Sequence, residues 1–200
     1  VQDSLFAEST LPNLLPYDGV AVLHPGAIPD ADALYERLER DIPWREHRVF
    51  VFGRWVKQPR LTAWFGDPHH PYRYSGSSLS PEPWTDDLLR VRRICEELSG
   101  TTYNSVLANL YRTGHDSIAW HSDDESELGI DPSIASVNLG QERRFDLRHR
   151  HTGETVKVPL PHASVLVMSG ATQHHWLHQV PRTAKPMRPR INLTYRMIHA

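Results

Sequence analysis

Cysteine is nearly absent from this 200-residue chain: Cys95 stands alone, so no disulfide can staple the fold from within. A reducing compartment is the expectation, because chains that fold in oxidising surroundings commonly pair their cysteines. Long apolar runs are missing too, and no segment approaches the roughly 20 residues that a helix needs to span a bilayer. The first residues carry no basic stretch followed by an apolar one, so no export signal is expected. Internal repeats and low-complexity tracts are absent. An excess of one charge is also wanting: 22 Lys+Arg against 24 Asp+Glu leaves a formal net charge of −2. That balance excludes a protein held to polyanions by bulk charge alone. One soluble domain with a sizeable core is the default at this length.

Within that balance arginine greatly outnumbers lysine. Arg143, Arg144, Arg148 and Arg150 crowd one segment with His149 and His151. The segment reads either as a phosphate grip or as a solvated strand pair and loop.

Residues 1–18 are irregular, rich in Pro, Leu and Asp, and read as a loose arm; residues 19–200 read as a single domain. Asp30 can cap a helix carrying Leu34, Leu38 and Ile42 and ended by Pro43. Residues 48–66 alternate as strands, with a hairpin turn near Gly53 or Gln58. Thr85 can cap a second helix with Asp86 and Asp87 in its first turn. Its apolar face is Leu88, Leu89, Val91, Ile94, Cys95 and Leu98, and Gly100 stops it. Cys95 on that face reads as core, not as a nucleophile.

After Gly100 the pattern changes to short strands, near 104–111, 117–122, 134–139, 143–149, 155–158, 164–168, 174–178 and 190–198. The fold class is therefore mainly β with flanking helices (α+β), and eight such strands build a sandwich or a double-stranded β-helix.

Two segments carry chemistry. In a strand, alternate side chains share a face, so His121-Ser122-Asp123 sets an imidazole beside a carboxylate. With His178 these make a two-His, one-carboxylate facial triad, which leaves adjacent positions open on a non-haem Fe(II). His174 and His175 precede His178 and compete for the third position. The second segment is Arg190-Ile191-Asn192-Leu193-Thr194-Tyr195-Arg196, where polar and apolar residues alternate strictly. Its arginines lie roughly 20 Å apart at about 3.3 Å per residue. Leaning inward, they leave a gap suited to a short dicarboxylate, for which guanidinium is a planar, forked partner. The alternative is a half-exposed edge strand with no ligand.

Five pieces in order resemble the AlkB family of Fe(II)/2-oxoglutarate-dependent nucleic-acid dealkylating dioxygenases. They are Asn109-Leu110-Tyr111-Arg112-Thr113-Gly114, His121-Ser122-Asp123-Asp124-Glu125, Ile134 to Gly140, His178-Gln179-Val180-Pro181 and Arg190 to Arg196. An upstream piece, Val51-Phe52-Gly53-Arg54-Trp55 with Pro59-Arg60 and Tyr72 to Gly76, resembles the branch that repairs duplex DNA. Together they cover about Val49 to Ile198.

The resemblance implies a jelly-roll core over 101–200, preceded by helices and nucleotide-recognition hairpins over 19–100. It implies Fe(II) held by His121, Asp123 and His178, with 2-oxoglutarate and O2 as cosubstrates. His178 is preferred over His174 and His175 because Gln-Val-Pro follows it, as in the family. Arg190, helped by Tyr111 and Asn192, would anchor the distal carboxylate of 2-oxoglutarate, and Arg196 and Asn109 would face its other end. The implied reaction is oxidative demethylation of N1-methyladenine or N3-methylcytosine in DNA, releasing formaldehyde, succinate and CO2.

Such lesions are cationic, so carboxylates and an aromatic face suit them. Asp124 and Glu125 are the candidate carboxylates, Tyr74 the stacking ring, and Tyr72 a hydroxyl with Ser75 beside it. Phe52 is the candidate wedge that fills the space left by a flipped base. The implied partner is alkylated DNA, single- or double-stranded, with RNA next; binding should be weak and salt-sensitive. A monomer with no membrane contact is expected, in the cytoplasm and on the nucleoid if bacterial, in the nucleus if eukaryotic. Other readings are an RNA or single-strand demethylase, a protein or small-molecule hydroxylase on the same core, and a non-catalytic reader.

Overall fold

The computed structural model describes residues 11–199 other than 52, 69–71, 75, 76 and 80. Of residues 49–51, 72–74 and 77–79 it describes the backbone alone. In chain order the elements are β1 (Val20–His24), α1 (Ala31–Asp41), β2 (Arg45–Val51), β3 (Arg54–Gly66), β4 (Tyr72–Tyr74), β5 (Ser77–Leu79) and α2 (Asp86–Ser99). There follow β6 (Ser105–Tyr111), β7 (Ile118–His121), β8 (Ile134–Gly140), β9 (Arg143–His149), β10 (Thr155–Leu160) and β11 (Ser164–Ser169). The chain closes with α3 (Thr172–His175), β12 (Trp176–Val180) and β13 (Arg190–Arg196).

These strands make a seven-stranded sheet, β1-β11-β8-β13-β6-β3-β2, and a four-stranded sheet, β10-β9-β12-β7; β4 and β5 pair apart. The chain passes back and forth between the two larger sheets from β6 to β13, which is the double-stranded β-helix (jelly-roll) arrangement. No helix among the described residues is long and apolar enough to cross a membrane.

Strand periodicity decides where the core lies. In β13, Ile191, Leu193 and Tyr195 join a buried cluster with Leu34, Leu38, Leu88, Val91 and Cys95 of the helices. Val106, Ala108 and Leu110 of β6 and Ala135, Val137 and Leu139 of β8 belong to the same cluster. The other face of each strand looks into the roll. There Arg190 sits opposite Tyr111, and Asn192 lies between Asn109 and Asn138. A second apolar cluster, including Ile134, Phe145, Leu147, Leu166 and Trp176, closes the roll around this polar row.

The helices follow their sequence signals with one exception. Thr85 Oγ1 accepts from Leu88 N at 3.3 Å, and Gly100 ends α2 in the left-handed conformation that glycine adopts without strain. We expect Thr85→Ala to cost about 1 kcal/mol in a urea titration. Asp30 stands before α1 as read, but its own φ of 52° leaves its side chain with no cap hydrogen bond. Cys95 is fully buried in the helix-facing core, and burial pushes its thiol far up from the ordinary range.

Other expectations shift. The hairpin turn falls at Gly53, because Val51 pairs with Arg54, and Gln58 is buried inside β3. Residues 174 and 175 belong to α3 rather than to a strand. The described part of the arm is not loose: Leu15 is buried, Asn13 Oδ1 accepts from the backbone of Leu15 and Ala21, and Trp176 Nε1 donates to Tyr17 O. β13 is not an edge strand but the centre of its sheet. The arginine-rich segment does not form one phosphate grip, because alternation along β9 divides it. Arg143 is buried and donates to the carbonyls of Thr113, Asp116 and Pro181. Arg144 pairs with Asp146, Arg148 covers the Trp120 ring at 4.3 Å, and Arg150 pairs with Asp124.

Candidate metal and dicarboxylate site

His121 is the last residue of β7, and β12 places His178 directly across from it, with the ring centroids 4.2 Å apart. Asp123 follows just beyond the strand, so its position comes from a turn of chain rather than from strand alternation. One donor atom each of His121, Asp123 and His178 lies within 4.8 Å of the others. His174 instead faces Asp131, and His175 lies against His149, which leaves His178 as the histidine of this cluster.

Each ligand is oriented by a neighbour. His121 Nδ1 lies 2.8 Å from the Ala119 carbonyl, which must accept a proton from it, so the Nε2 lone pair is free. Arg196 Nη2 and Nε donate to Asp123 Oδ2 at 2.8 and 3.1 Å. Oδ1 of the same carboxylate points to His121 Nε2 at 3.8 Å. Asp123 N donates at 3.0 Å to Oε1 of Gln173, a glutamine with no exposed surface. Burial opposes ionisation of Asp123, but Arg196, His178 and His121 outweigh it and hold the carboxyl well below its usual range. Burial, with His121 close by, lowers His178 to about 3, so its imidazole is neutral and can offer a lone pair.

Arg190 is the other unusual group. It is 1% exposed on the central strand, its guanidinium 5.0 Å from the Tyr111 ring centre. Nη2 donates to Asn138 Oδ1 at 2.5 Å, yet Nε and Nη1 have no hydrogen-bond partner among the described residues. Burial lowers it to about 10, Tyr111 opposing and Arg143 adding to the shift, so it is still a cation at neutral pH. Buried N–H groups of a cation left unpaired are costly, and an anion of matching shape removes the cost.

The triad and Arg190 line one cavity of about 700 Å3. Its cationic lining residues are Arg54, Lys57, Arg60, Arg190 and Arg196, against the carboxylates Asp123 and Glu125. That excess suits a dianion beside a divalent metal. Fe(II) and 2-oxoglutarate fit the residues present: His178 Nδ1 and the two Arg190 donors are buried polar atoms without hydrogen-bond partners among the described residues.

Asn109, Tyr111, Asn192 and Arg196 line the same cavity. Arg196 is drawn to Asp123 instead of standing opposite Arg190 as the second half of a clamp. Asn109 Oδ1 accepts from Arg60 Nε at 2.8 Å. Glu125 reaches the cavity and its Oε2 is buried with no hydrogen-bond partner among the described residues. Asp124 does not line it, since Arg150 holds its carboxylate at 3.0 Å. Phe52 and Ser75 lie outside the described residues, as do the side chains of Tyr72 and Tyr74.

Sequence reasoning gave no role to Asn138, Ser136, Gln173 or Trp120. The first two were readable, because Ser136 and Asn138 alternate with apolar residues in β8 just as Asn192 and Thr194 do in β13. Nothing in the sequence marks Gln173 or Trp120.

Residues 21–196 match the 2OG-Fe(II) oxygenase superfamily. The chain belongs to that family. It is 42% identical over 180 residues to alpha-ketoglutarate-dependent dioxygenase alkB homolog 3 of Bos taurus, covering 85% of this chain and 62% of that protein. It is 41% identical over 181 residues to DNA oxidative demethylase ALKBH2 of Mus musculus, covering 84% and 75%. The chain thus spans less than two thirds of the bovine relative. The solved structure of OsALKBH1 shares the fold, with a TM-score of 0.64 at 17% identity over 88% of this chain and 97% of that one. As a 2OG-Fe(II) oxygenase this chain uses Fe(II), 2-oxoglutarate and O2.

Proposed function

We propose that this chain oxidatively demethylates N-alkylated bases in DNA, with N1-methyladenine and N3-methylcytosine as substrates and formaldehyde, succinate and CO2 as products. One observation carries the reading: the metal triad and Arg190, two of whose donors have no partner among the described residues, share a cavity that Arg54, Lys57 and Trp120 also line. A cationic, aromatic rim suits a base on a phosphate backbone. The relative of 41% identity named DNA oxidative demethylase supports the same substrate class.

His121, Asp123 and His178 would hold Fe(II). Once bound, the metal with 2-oxoglutarate and O2 supplies an oxidant able to hydroxylate an N-methyl group, and the hydroxymethyl base falls apart to formaldehyde and the restored base. The protein's own work is positioning. Arg190 grips the distal carboxylate of 2-oxoglutarate, while Tyr111 and Asn192 wall its seat. Arg196 fixes one oxygen of Asp123 so that the other faces the metal. Asn109, braced by Arg60, closes the floor near it. Glu125 offers Oε2, which has no partner among the described residues, to the positive charge of the lesion. Tyr72 and Tyr74 of β4, with Ser75 next in the sequence, complete the recognition of the base, and Asp124, held by Arg150, stays outside the cavity. Phe52 fills the helix after the base leaves it, an exit that methylation eases by breaking the pairing.

The test is anaerobic reconstitution with Fe(II) and 2-oxoglutarate, then O2, on matched single- and double-stranded oligonucleotides bearing one N1-methyladenine. Mass spectrometry should show the methyl group lost, and His121→Ala should abolish the loss. Phe52→Ala should slow repair of the duplex and spare the single strand. Succinate formed with every methyl group retained would move the reading to RNA or protein substrates.

A further inference from the structure

A second set of metal-donor side chains lies away from the triad, where the segment before β1 crosses the end of the small sheet. Asp18, His149 at the end of β9 and His175 at the end of α3 each bring one donor atom within 4.8 Å of the other two. His149 is only 3% exposed, and its Nε2 makes no hydrogen bond among the described residues. It faces Asp18 Oδ2 at 3.4 Å. That gap is long for N–H···O, which centres near 2.9–3.0 Å. Two ligand atoms each about 2.1 Å from a tetrahedral Zn(II) stand roughly 3.4 Å apart. The spacing is that of two groups sharing an ion.

We propose that Asp18, His149 and His175 form a second metal site, for Zn(II) or a similar divalent transition ion. Two imidazoles and a carboxylate are a borderline-soft donor set that suits Zn(II) better than Ca(II) or Mg(II). The His175 ring lies nearly parallel to that of His149, 6.0 Å away and tilted by 11°. Asp18 is half exposed, so solvent can supply the fourth position.

The surroundings of His149 allow either tautomer, because Thr152 meets Nδ1 with both its backbone N–H and its hydroxyl oxygen. Ligation through Nε2 requires the proton on Nδ1, and Thr152 Oγ1 stands 3.2 Å from it. Thr152 Oγ1 is 2.8 Å from Tyr17 Oη, which donates in turn to Glu154 at 2.7 Å. Every donor in that series can point the same way, from the imidazole to a carboxylate. The rings of Tyr17 and Trp176 hold His149 edge-on, each 5.0 Å from it. An ion here would tie the N-terminal segment to β9 and to α3, the turn that leads into β12 and His178. In the opposite tautomer the Thr152 N–H donates to Nδ1 and His149 is merely paired with Asp18. The two arrangements are separable by metal binding.

The experiment counts Zn(II) per chain after saturation and desalting. Wild type should hold two ions, His121→Ala and His175→Gln one each, and the double variant none. Asp18→Asn, at an exposed position, should also hold one and guards against a folding defect in His175→Gln. With Co(II) as a probe, the intense visible band of a four-coordinate ion should persist in His121→Ala and vanish in His175→Gln. Zn(II) should raise the melting temperature of His121→Ala. One ion in wild type, a second ion that survives both His175→Gln and Asp18→Asn, or no thermal shift in His121→Ala would each overturn the site and leave a simple ion pair.

Discussion

Arg190→Met is expected to weaken 2-oxoglutarate binding by roughly 100- to 1,000-fold while leaving Fe(II) affinity nearly unchanged. Removing one partner of a buried, hydrogen-bonded charge pair costs about 2–5 kcal/mol, and each 1.4 kcal/mol is tenfold. Arg190 qualifies because it is almost wholly buried, keeps two donors without a partner among the described residues and is not a member of the metal triad. Methionine fills the volume without charge. Arg190→Lys keeps the charge but loses the planar fork, so its affinity should fall between the two. Calorimetric titration of 2-oxoglutarate into the metal-loaded chain under argon reads both. The stability effect has the opposite sign from an ordinary buried-residue loss. Without cosubstrate, the guanidinium is a desolvated cation with donors to spare, so its replacement should not lower the melting temperature. With cosubstrate at about 100 times its Kd, wild type should gain about 2.7 kcal/mol and Arg190→Met almost none. Wild-type affinity in the variant would pass the anchoring role to Arg60, the other buried cavity arginine outside the triad's ion pair.

The alternation in Arg190–Arg196 made one polar face legible, but not what covers it. An alternating strand is equally at home at a wet edge or, as here, in mid-sheet with helices on its apolar side and a cavity on its polar side. Only closure of the roll distinguishes the two. The second helix was readable almost whole because Thr85, the Leu88–Leu98 face and Gly100 all act within a few residues of one another. Asp30 misled because the residue type fits a cap while its left-handed backbone directs the side chain elsewhere. The arginine-rich segment misled for a related reason. Its charges look like one patch in sequence, yet strand period sends Arg143 inward to three carbonyls and its neighbours outward to separate partners. His175 reads from the sequence as an alternative ligand, whereas its actual neighbour, His149, is 26 residues away by number and set by the β9–β12 register. Local rules reach the elements and the face of each. They do not reach Gln173 or Arg60, whose positions depend on which loops and strands finally meet.

Asp123→Asn is expected to lower Fe(II) retention at least 100-fold and turnover with it, and also to destabilise the fold by about 3–5 kcal/mol. Both effects have one origin. Asp123 balances Arg196 through Oδ2 while presenting Oδ1 toward His121. Asparagine keeps the shape but removes the charge, leaving the Arg196 guanidinium largely buried without its counterion and the metal without its anionic ligand. Iron content after desalting reads the first loss and chemical denaturation of the metal-free chain the second. A double substitution separates them. Arg196→Leu alone should weaken metal binding about 10- to 100-fold, since it frees the Asp123 carboxylate to turn away. Asp123→Leu with Arg196→Leu replaces a buried ion pair by apolar groups, so it should recover most of the stability lost in Asp123→Asn while still binding no iron. Stability that stays low in the double variant would mean that the loss in Asp123→Asn does not come from the uncompensated charge of Arg196. Iron retained by Asp123→Asn would remove the carboxylate from the triad and leave His121 and His178 as the only ligands among the described residues that the geometry supports.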